Sequence, residues 1–285
     1  MQIPEFFREK LLAQYGEELT KQIIEGYSKQ RAVTLRVNTI KSNKENIKLK
    51  LQEAGIETED VSWYQDGLII KNAREDEIKK LNIYENGEIY LQSLSSMLPP
   101  IVLEPKEGEN ILDMAAAPGG KTTEIAALTQ NKAFITACEK NKIRAERLKY
   151  NLQKQGVRCV NVMLEDARKL SDFFSFDKIL LDAPCSGLGV IRRKMDIKYN
   201  VSPESIDELV SLQKTLLEEA YSLLKKDGIL VYSTCTINKK ENEKQIESFI
   251  KNHTDLEVVT QKTLLPYEYD TDGFYYCKMI KKGVK

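Results

Sequence analysis

The spacing of apolar residues changes near residue 90, and the part before it predicts a small mixed unit. Apolar residues recur at helical spacing between Glu9 and Tyr27, as expected for one face of a helix. The pattern that follows predicts a strand at Ala32–Asn38, a helix at Ile47–Ala54, and a hairpin formed by Val61–Tyr64 and Gly67–Ile70. Residues 1–88 are therefore expected to form an N-terminal α+β module.

From Tyr90 onward, short apolar stretches alternate with stretches of helical spacing. The predicted strands are Asn110–Met114, Ala133–Cys138, Val160–Met163, Asp177–Leu181 and Ile229–Tyr232, and the predicted helices are Lys121–Leu128, Asn141–Gln155, Pro203–Leu224 and Glu241–Asn252. Strands that alternate with helices imply a parallel sheet with right-handed crossovers. We therefore expect residues 89–285 to form an α/β domain, with its active site at the carboxyl ends of the strands.

Composition narrows the functional class. The 285 residues carry 43 Lys plus Arg and 43 Asp plus Glu, and this balance argues against indiscriminate nucleic-acid binding while allowing a local basic patch. No apolar run is long enough to span a membrane, and the N-terminus lacks the pattern of a secretory signal. Five widely spaced cysteines and one histidine predict neither a disulfide framework nor a zinc site, so we expect a cytoplasmic protein without a bound metal.

The loop after the first strand of the α/β domain is rich in small residues. It runs from Asp113 to Thr122 and contains Gly119 and Gly120, so a ligand can lie against its backbone. A phosphate-binding P-loop requires glycine at the position of Ala115, and the dinucleotide pattern Gly-x-Gly-x-x-Gly is absent. The remaining interpretation is a loop that binds the nucleoside sulfonium S-adenosylmethionine.

Acidic residues at three successive strand ends favour this interpretation. Glu139, Asp166 and Asp182 follow the second, third and fourth predicted strands. A carboxylate after the second strand can accept hydrogen bonds from both ribose hydroxyls, and Asp166 is placed to accept one from an adenine amino group. Each acid taken alone is more typical of a solvated loop, but the three together with a glycine-rich loop predict a nucleoside-binding crevice.

Two cysteines follow predicted strands closely. Cys185 lies in the run Asp182–Gly187, and Cys235 lies in the run Ser233–Thr236. A thiolate that adds to carbon 6 of cytosine makes carbon 5 nucleophilic enough to take a methyl group; the adduct then loses the carbon 5 proton and expels the thiol. This chemistry needs a nucleophilic cysteine, an acid that holds the ring, and a base. Either cysteine could be the nucleophile, while the other three are expected to be buried and inert.

These motifs are similar to those of the RNA 5-methylcytosine methyltransferases of the Nol1/Nop2/Sun family, which includes bacterial 16S ribosomal RNA enzymes and archaeal tRNA enzymes. The resemblance covers about residues 30–285 and is carried by Leu35–Lys41, Ala115–Lys121, Asp182–Gly187, Ser233–Thr236, Glu241–Glu243 and Asp272–Phe274. The chain departs from the family pattern at Ala115, where cysteine is usual, and after Thr236, where a proline usually precedes the acidic run. The resemblance implies a Rossmann-like, S-adenosylmethionine-dependent methyltransferase sheet with a small N-terminal RNA-binding module.

The resemblance also implies a role for each candidate site residue. Cys235 would attack carbon 6, Cys185 would assist elimination and product release, and Asp182, ordered by Lys121, would hold the cytosine edge. The residues implied to contact the cofactor are Ala115, Ala116, Ala117, Pro118, Gly119, Gly120 and Lys121 at its methionine end, Glu139 and Arg144 at its ribose, Asp166 at its adenine, and Asp182.

Contacts with RNA are expected from basic residues of the N-terminal module and from Arg192–Lys194. The basic residues of the module are Arg36, Lys41, Lys44, Lys48 and Lys50, although lysines at this spacing are also typical of a solvated face. Tyr199 and Trp63 are candidates for stacking on bases, although tryptophan is more often a core residue. The chain ends soon after the predicted catalytic domain, so target selection would rest on the module or on a partner.

Three functional hypotheses remain open. The first is an RNA cytosine-5 methyltransferase that acts as a monomer on ribosomal RNA, or alternatively on tRNA, with no membrane or metal partner. The second is a DNA cytosine-5 methyltransferase, in which the cysteine after proline, Cys185, would be the nucleophile. The third is a non-catalytic RNA-binding or ribosome-assembly protein that keeps a decayed site.

Overall fold

The chain forms two sheets, and a computed structural model describes residues 3–170, 173–191, 201–269 and 271–283. The first sheet is antiparallel, with its four strands in the order β2-β3-β1-β4. In chain order its unit consists of α1 (Glu5–Ser28), β1 (Val33–Val37), α2 (Lys44–Glu53), β2 (Thr58–Asp60), β3 (Gly67–Ile70), α3 (Glu75–Ile78), α4 (Asn82–Glu85) and β4 (Ile89–Leu91). Buried Leu and Ile side chains of β1, β3 and α2 form its core.

Two features of this unit differ from the sequence prediction. The first strand of the hairpin is Thr58–Asp60 rather than Val61–Tyr64, because residues 61–66 form the turn that joins β2 to β3. The apolar residues of that turn, Val61 and Tyr64, pack against Leu94 and Met97 instead of pairing as a strand. The sequence did not predict β4, which pairs with β1.

The second sheet has seven strands in the order β10-β11-β9-β8-β5-β6-β7. Its strands are β5 (Asn110–Asp113), β6 (Phe134–Cys138), β7 (Val160–Met163), β8 (Phe176–Asp182), β9 (Leu224–Thr234), β10 (Leu256–Leu264) and β11 (Phe274–Lys281). Its helices are α5 (Leu94–Leu103), α6 (Gly120–Leu128), α7 (Lys142–Lys154), α8 (Pro203–Leu223) and α9 (Glu243–Asn252).

Strands β5 to β9 are parallel, as the sequence predicted, and the arrangement is Rossmann-like. The unpredicted strands β10 and β11 add an antiparallel pair at one edge. The chain order reverses between β5 and β8, and in open sheets such a reversal opens a crevice at the carboxyl ends of the strands. Within the described ranges, no helix combines the length and apolar character that crossing a membrane requires.

Helix α5 contains two interior prolines, a feature that usually argues against a helix. Pro100 has no N–H to donate to the carbonyl of Ser96, which lies four residues earlier. The side chain of Gln92 supplies the missing donor, with its Nε2 3.0 Å from the Ser96 oxygen. The helix therefore continues through the prolines and carries Ser95 and Ser96 to the edge of the crevice.

Helix α1 packs across loops of the seven-stranded sheet. Its buried side chains Phe7, Leu11, Ile23 and Tyr27 cluster with Leu188, Ile191, Ile206, Ile237 and Leu265. The Tyr27 hydroxyl donates to the carbonyl of Leu188 at 2.5 Å, and the Tyr15 hydroxyl donates to that of Ile237 at 2.6 Å. Because Leu188 follows β8 and Ile237 follows β9, α1 braces the loops after both strands.

A buried ion pair joins the two sheets. Arg36 in β1 is fully buried, with its Nε 3.7 Å from Glu124 Oε2 in α6 and its Nη2 donating to Thr123 at 3.0 Å. Gln92 links the two charges, because it accepts from Arg36 at 3.3 Å and donates to Glu124 at 2.9 Å. The prediction that Arg36 contacts RNA is wrong, because its guanidinium is enclosed between β1 and α6.

Replacing Arg36 with Met should lower the free energy of unfolding by about 3–5 kcal/mol in urea denaturation, because Glu124 is left as a buried, uncompensated charge. Burial already raises the pKa of Glu124 to about 7, against the opposing influence of Arg36. Removing Arg36 raises this pKa further. Protonation then relieves the charge, so the loss should be smaller below pH 7, where Glu124 is protonated in both proteins, and should grow as the pH rises above 7.

The matched control is Lys71→Met, which removes a half-exposed pair with Glu59 and should cost less than about 1 kcal/mol. A loss in R36M no larger than that in K71M would show that the buried pair contributes little to stability.

Candidate active site

The two candidate nucleophiles lie side by side. Cys185 comes three residues after β8, and Cys235 directly follows β9. These strands are parallel neighbours with Asp182 opposite Ser233, so their loops leave the sheet at the same point. The two Sγ atoms are 3.2 Å apart, within hydrogen-bonding distance.

The surroundings of the two thiols favour a proton on Cys185. A hydrogen bond with Cys235, reinforced by burial, holds the pKa of Cys185 well above its usual value. Burial acts to lower the pKa of Lys121, but the Asp182 carboxylate, with smaller contributions from Asp113 and Cys235, raises it above its usual value. Lys121 therefore stays cationic beside Cys235, and the Cys185 S–H can donate to a Cys235 thiolate.

Lys121 and Asp182 form an ion pair at the mouth of the crevice. Lys121 Nζ lies 2.6 Å from Asp182 Oδ2 and also donates to Ser96 Oγ at 3.0 Å. The other carboxylate oxygen, Oδ1, accepts from Ser233 Oγ at 2.7 Å. Each carboxylate oxygen has two acceptor positions, so Asp182 can still accept hydrogen bonds from a ligand.

A second carboxylate, Glu241, ties the two cysteine loops together. It is fully buried and accepts from the Ser186 N–H at 2.8 Å and from the Ser186 hydroxyl at 2.6 Å. It also accepts from the amides of Asn238 at 2.8 Å and Gln213 at 3.2 Å. The predicted helix start at Glu241 is wrong, because α9 begins at Glu243 and leaves Glu241 in the preceding turn. From that turn its carboxylate reaches both loops.

The loop predicted to hold a cofactor is fixed by side chains of α7. Arg144 donates to the carbonyl of Ala117 at 2.8 Å, and Asn151 donates to that of Pro118 at 2.8 Å. Gly119 has a positive φ of 106°, and a Cβ there would lie 2.8 Å from Leu148. Only glycine fits this turn without strain, so the close approach of the loop to α7 depends on it.

Two of the three predicted acids line a cleft beside this loop. Glu139 and Asp166 border it, and Met114, Ala115, Pro184 and Leu216 supply apolar walls. Glu139 accepts from the Asn141 N–H at 2.8 Å, and its Oε2 lies 3.4 Å from Arg144. Asp182 faces Lys121 and Ser233 instead of this cleft.

The carboxylate of Asp166 is already engaged by a neighbour. Arg168 donates to it through Nε at 3.0 Å and through Nη2 at 2.5 Å, and these hydrogen bonds lower the pKa of Asp166 to about 2. Asp166 is therefore ionised, and an adenine amino group would have to share it with Arg168.

The lysines of the small unit that were predicted to contact RNA are bonded to partners within the protein. Lys44 and Lys48 pair with Asp60 at 3.0 and 3.2 Å, Lys50 pairs with Glu88 at 2.6 Å, and Lys41 donates to two backbone carbonyls. Arg192–Lys194 and Tyr199 lie outside the described residues. Trp63 is not a core residue, since 37% of it is exposed.

Two of the remaining cysteines are buried as expected, whereas Cys159 is only partly buried. Cys138 and Cys277 are fully buried, and burial raises the pKa of each to about 12. All five cysteines lie in described parts of the chain, and none of them forms a disulfide bond. Over the described ranges, no cluster of three or more His, Cys, Asp or Glu side chains is arranged to hold a metal ion.

The family model described as 16S rRNA methyltransferase RsmB/F matches residues 100–280. The chain belongs to this family. The model described as the ferredoxin-like domain of these methyltransferases matches residues 3–75, which include α1 and the strands β1 to β3. The resemblance inferred from the cysteine motifs is thereby confirmed.

Individual relatives agree with this assignment. The probable ribosomal RNA small subunit methyltransferase B of Bacillus subtilis (strain 168) is 36% identical, over 98% of this chain and 66% of its own length. The ribosomal RNA small subunit methyltransferase F of Pectobacterium carotovorum is 36% identical, over 87% of this chain and 56% of its own length. The chain thus spans about two thirds or less of the curated relatives it matches.

Two solved structures share the whole fold. NSun6 from Pyrococcus horikoshii with SFG has a TM-score of 0.90 and 26% identity, and the match covers 99% of each chain. A methyltransferase homolog protein from Pyrococcus horikoshii has a TM-score of 0.85 and 31% identity, over 98% of this chain and 100% of its own. The fold predicted from the sequence, a Rossmann-like methyltransferase sheet with a small N-terminal unit, is confirmed.

Sequence reasoning did not identify the side chains that support the site. Ser96 lies on the unpredicted helix α5, and Gln213 is one of many polar residues of α8. Ser233 and Glu241 belong to the motifs that carry the family resemblance, but no spacing rule indicated what they contact.

Iodoacetamide should label Cys235 faster than Cys185 at neutral pH, because the raised pKa of Cys185 keeps it protonated while alkylation requires a thiolate. Peptide mapping by mass spectrometry measures both rates, with the buried Cys138 and Cys277 as unreactive internal references. Lys121→Met should slow the labelling of Cys235, because it removes the neighbouring cation. Equal rates at residues 185 and 235 would contradict this assignment of the proton.

Proposed function

We propose that the protein transfers a methyl group from S-adenosylmethionine to carbon 5 of a cytosine in RNA, with Cys235 as the covalent nucleophile. The family membership supports methylation of RNA, and the names of the relatives make small-subunit ribosomal RNA the first substrate to test, ahead of tRNA. The observation that carries the proposal is the 3.2 Å separation of two thiols beside the Lys121–Asp182 pair.

The loop and the adjoining cleft carry the chemical groups that the proposed cofactor requires. Residues 115–120 approach α7 closely through Gly119, and the cleft beside them combines apolar walls with the carboxylates of Glu139 and Asp166. In this proposal the loop contacts the methionine end, Glu139 the ribose, and Asp166 the adenine, while Arg144 holds the loop through Ala117. S-adenosylmethionine supplies an electrophilic methyl group when it is bound.

The two thiols have different roles in the reaction with cytosine. The Cys235 thiolate forms a bond to carbon 6, and the electron pair displaced toward carbon 5 would take up the methyl group as the bond from that group to the sulfonium sulfur breaks, which would leave a neutral thioether. A base then removes the proton from carbon 5, the electron pair re-forms the 5,6 double bond, and the bond from Cys235 to carbon 6 breaks. Cys185 lies close enough to assist this elimination, because its proton can be shared with the departing Cys235 thiolate.

Asp182 and Lys121 hold the base during these steps. Asp182 accepts a hydrogen bond from the exocyclic amino group of cytosine, and Lys121 and Ser233 fix the orientation of its carboxylate. The target base has to leave its stack to reach this crevice, as bases do in other enzymes that modify them.

The alternative of a DNA enzyme with Cys185 as nucleophile is less well supported. A nucleophilic thiol needs a lowered pKa, whereas the hydrogen bond to Cys235 and burial raise the pKa of Cys185. A non-catalytic RNA-binding protein would not need two thiols, an ion pair and a cofactor cleft at one sheet edge.

Converting Cys235 to Ala should abolish the transfer of labelled methyl groups from S-adenosylmethionine to a 16S ribosomal RNA transcript. The loss should exceed 10³-fold, about the scale of removing a covalent nucleophile. Cys185→Ala should still form the adduct but release it slowly, so a protein–RNA complex that survives denaturing electrophoresis should accumulate.

The control variant is Cys159→Ala, which removes a cysteine outside the crevice and should leave turnover unchanged. Trapping with 5-fluorocytosine RNA and mapping the modified peptide tests the nucleophile directly. A peptide modified at residue 185, or full turnover in C235A, would overturn the proposed mechanism.

Glu241→Gln should lower kcat about 10²-fold, since its NH2 group would face one of four donors and shift the cysteine loops. The affinity for S-adenosylmethionine, measured by calorimetry, should stay unchanged, because Glu241 does not line the cofactor cleft. Glu218→Gln, which changes a partly exposed partner of His253, is the control. A variant with normal kcat and merely lower thermal stability would show that Glu241 serves folding alone.

A further inference from the structure

An aromatic cavity that the mechanism does not use lies between the small unit and the β10–β11 edge of the large sheet. Its volume is about 340 Å³, within the range of small-ligand sites. The described residues that line it include three aromatic side chains, Trp63, Tyr269 and Tyr276, together with Ser95 and Thr271. Lys262 is the charged side chain among them.

The aromatic rings of this cavity are held in place but remain accessible. Trp63 is 37% exposed and stacks on Tyr64, with ring centroids 6.0 Å apart and an interplanar angle of 15°. Tyr64 itself is buried with Val61, Leu94 and Met97, so the turn that carries Trp63 is fixed against α5. Tyr269 is 60% exposed, and its backbone has a positive φ of 52°.

The cation of the cavity sits against one of these rings. Lys262 Nζ lies 4.8 Å from the centroid of Tyr269 and 3.2 Å from its hydroxyl oxygen. A lysine over a tyrosine ring places a positive charge beside an aromatic surface, and this pair suits a ligand that combines a flat π-surface with a negative charge. A nucleotide has both, because its base stacks and its phosphate attracts the ammonium group.

Two chain segments are shared between the aromatic cavity and the cysteine crevice. Ser95 lines the cavity, whereas the next residue, Ser96, accepts a hydrogen bond from Lys121 in the crevice. Thr271 lines the cavity and accepts from the Ser95 N–H at 3.0 Å. Two residues later, Gly273 donates to Gly189, whose own N–H donates to the carbonyl of Cys235. The cavity is therefore the immediate neighbour of the site proposed to hold the target base.

We propose that the aromatic cavity binds an unpaired nucleobase next to the target cytosine, stacked between Trp63 and Tyr269, with its phosphate near Lys262. This inference rests on the proposed function. Extruding the cytosine breaks its stacking with the adjacent base, and aromatic side chains commonly replace such lost stacking in single-stranded RNA. The cavity would thus hold the strand in register while the cytosine occupies the crevice.

Intrinsic fluorescence tests the proposal directly, because Trp63 is the chain's single tryptophan. A 16S ribosomal RNA fragment that the wild type methylates should quench the emission of Trp63 on binding, while S-adenosylmethionine alone should not. Trp63→Ala and Tyr269→Ala should each raise KM for the RNA about 5- to 150-fold, the change that ~1–3 kcal/mol of base stacking produces. The value of kcat at saturating RNA should stay near that of the wild type, and Trp63→Phe should restore most of the affinity.

A scan with abasic nucleotides identifies the stacked base. Removing one base beside the target cytosine should raise KM in the wild type but have no further effect in W63A, since the two changes delete the same contact. Phe134→Ala is the matched control. Phe134 is 66% exposed and is the first residue of β6, so it lies at the amino end of that strand, whereas the crevice lies at the carboxyl ends. This variant should change neither KM nor quenching.

The outcomes separate this inference from the function on which it rests. Methylation by the wild type without quenching, and with normal KM in W63A and Y269A, would overturn the cavity's role and leave the function intact. A lowered kcat with unchanged KM in these variants would also overturn it, because that result indicates a structural role. A wild-type protein that neither binds nor methylates RNA would contradict the proposed function itself.

Discussion

The parallel pairing of β8 with β9 is the constraint on which the site depends. It sets Asp182 opposite Ser233, and the Ala183 N–H donates to the Ser233 carbonyl at 2.8 Å just as the strands end. Both loops start from fixed, adjacent points, so the cysteines that they carry begin their separation at neighbouring strand ends. A shift of register by one residue would turn Asp182 and Ser233 to opposite faces of the sheet and separate them.

The sheet alone does not fix the sulfur atoms at 3.2 Å, because both loops contain residues that could relax toward solvent. Glu241 opposes this relaxation. Four donors converge on its buried carboxylate, and they come from the Cys185 loop, the Cys235 loop and α8. A buried carboxylate without these bonds would be strongly unfavourable, since each unmet donor costs about 1–3 kcal/mol. The hydrogen bonds to the carboxylate therefore hold the loops at this spacing. Helix α1 supports the loops from outside through hydrogen bonds to Leu188 and Ile237.

The sequence predicted the parts of the structure that have a local pattern. The parallel strands and their helices have clear periodicity, and the two cysteine motifs pointed to one sheet edge before any contact was known. Helix α5 was not predicted because prolines inside a segment usually argue against a helix. The donor that replaces the missing N–H is the side chain of Gln92, which precedes the helix in the sequence. The antiparallel pair β10–β11 lies beyond the repeating strand–helix pattern and was not predicted for that reason. The domain division at residue 88 stays a prediction, although β4 pairs with β1 across it.

Side-chain partners were the least predictable feature, and charge shows why. The sequence alone does not distinguish the surroundings of Arg36 from those of Lys50. In the fold, Arg36 is enclosed with Glu124, whereas Lys50 pairs with Glu88 near the surface. A buried charge can be told from an exposed one only after the tertiary fold has placed its counter-ion. For the same reason, the sequence suggested a basic RNA-binding face on the small unit that its described side chains largely neutralise.

This neutralisation has a consequence for how RNA could be held. The chain has no net charge, and three lysines of the small unit form ion pairs: Lys44 and Lys48 with Asp60, and Lys50 with Glu88. Affinity that arises from phosphate contacts requires cations that are free to displace counter-ions, and paired lysines release few. Stacking carries no such requirement, because every base offers a π-face at any ionic strength. Under the proposed function, a small unit with these paired lysines is therefore better suited to hold an unstacked segment of RNA through its bases than to bind a duplex through its backbone.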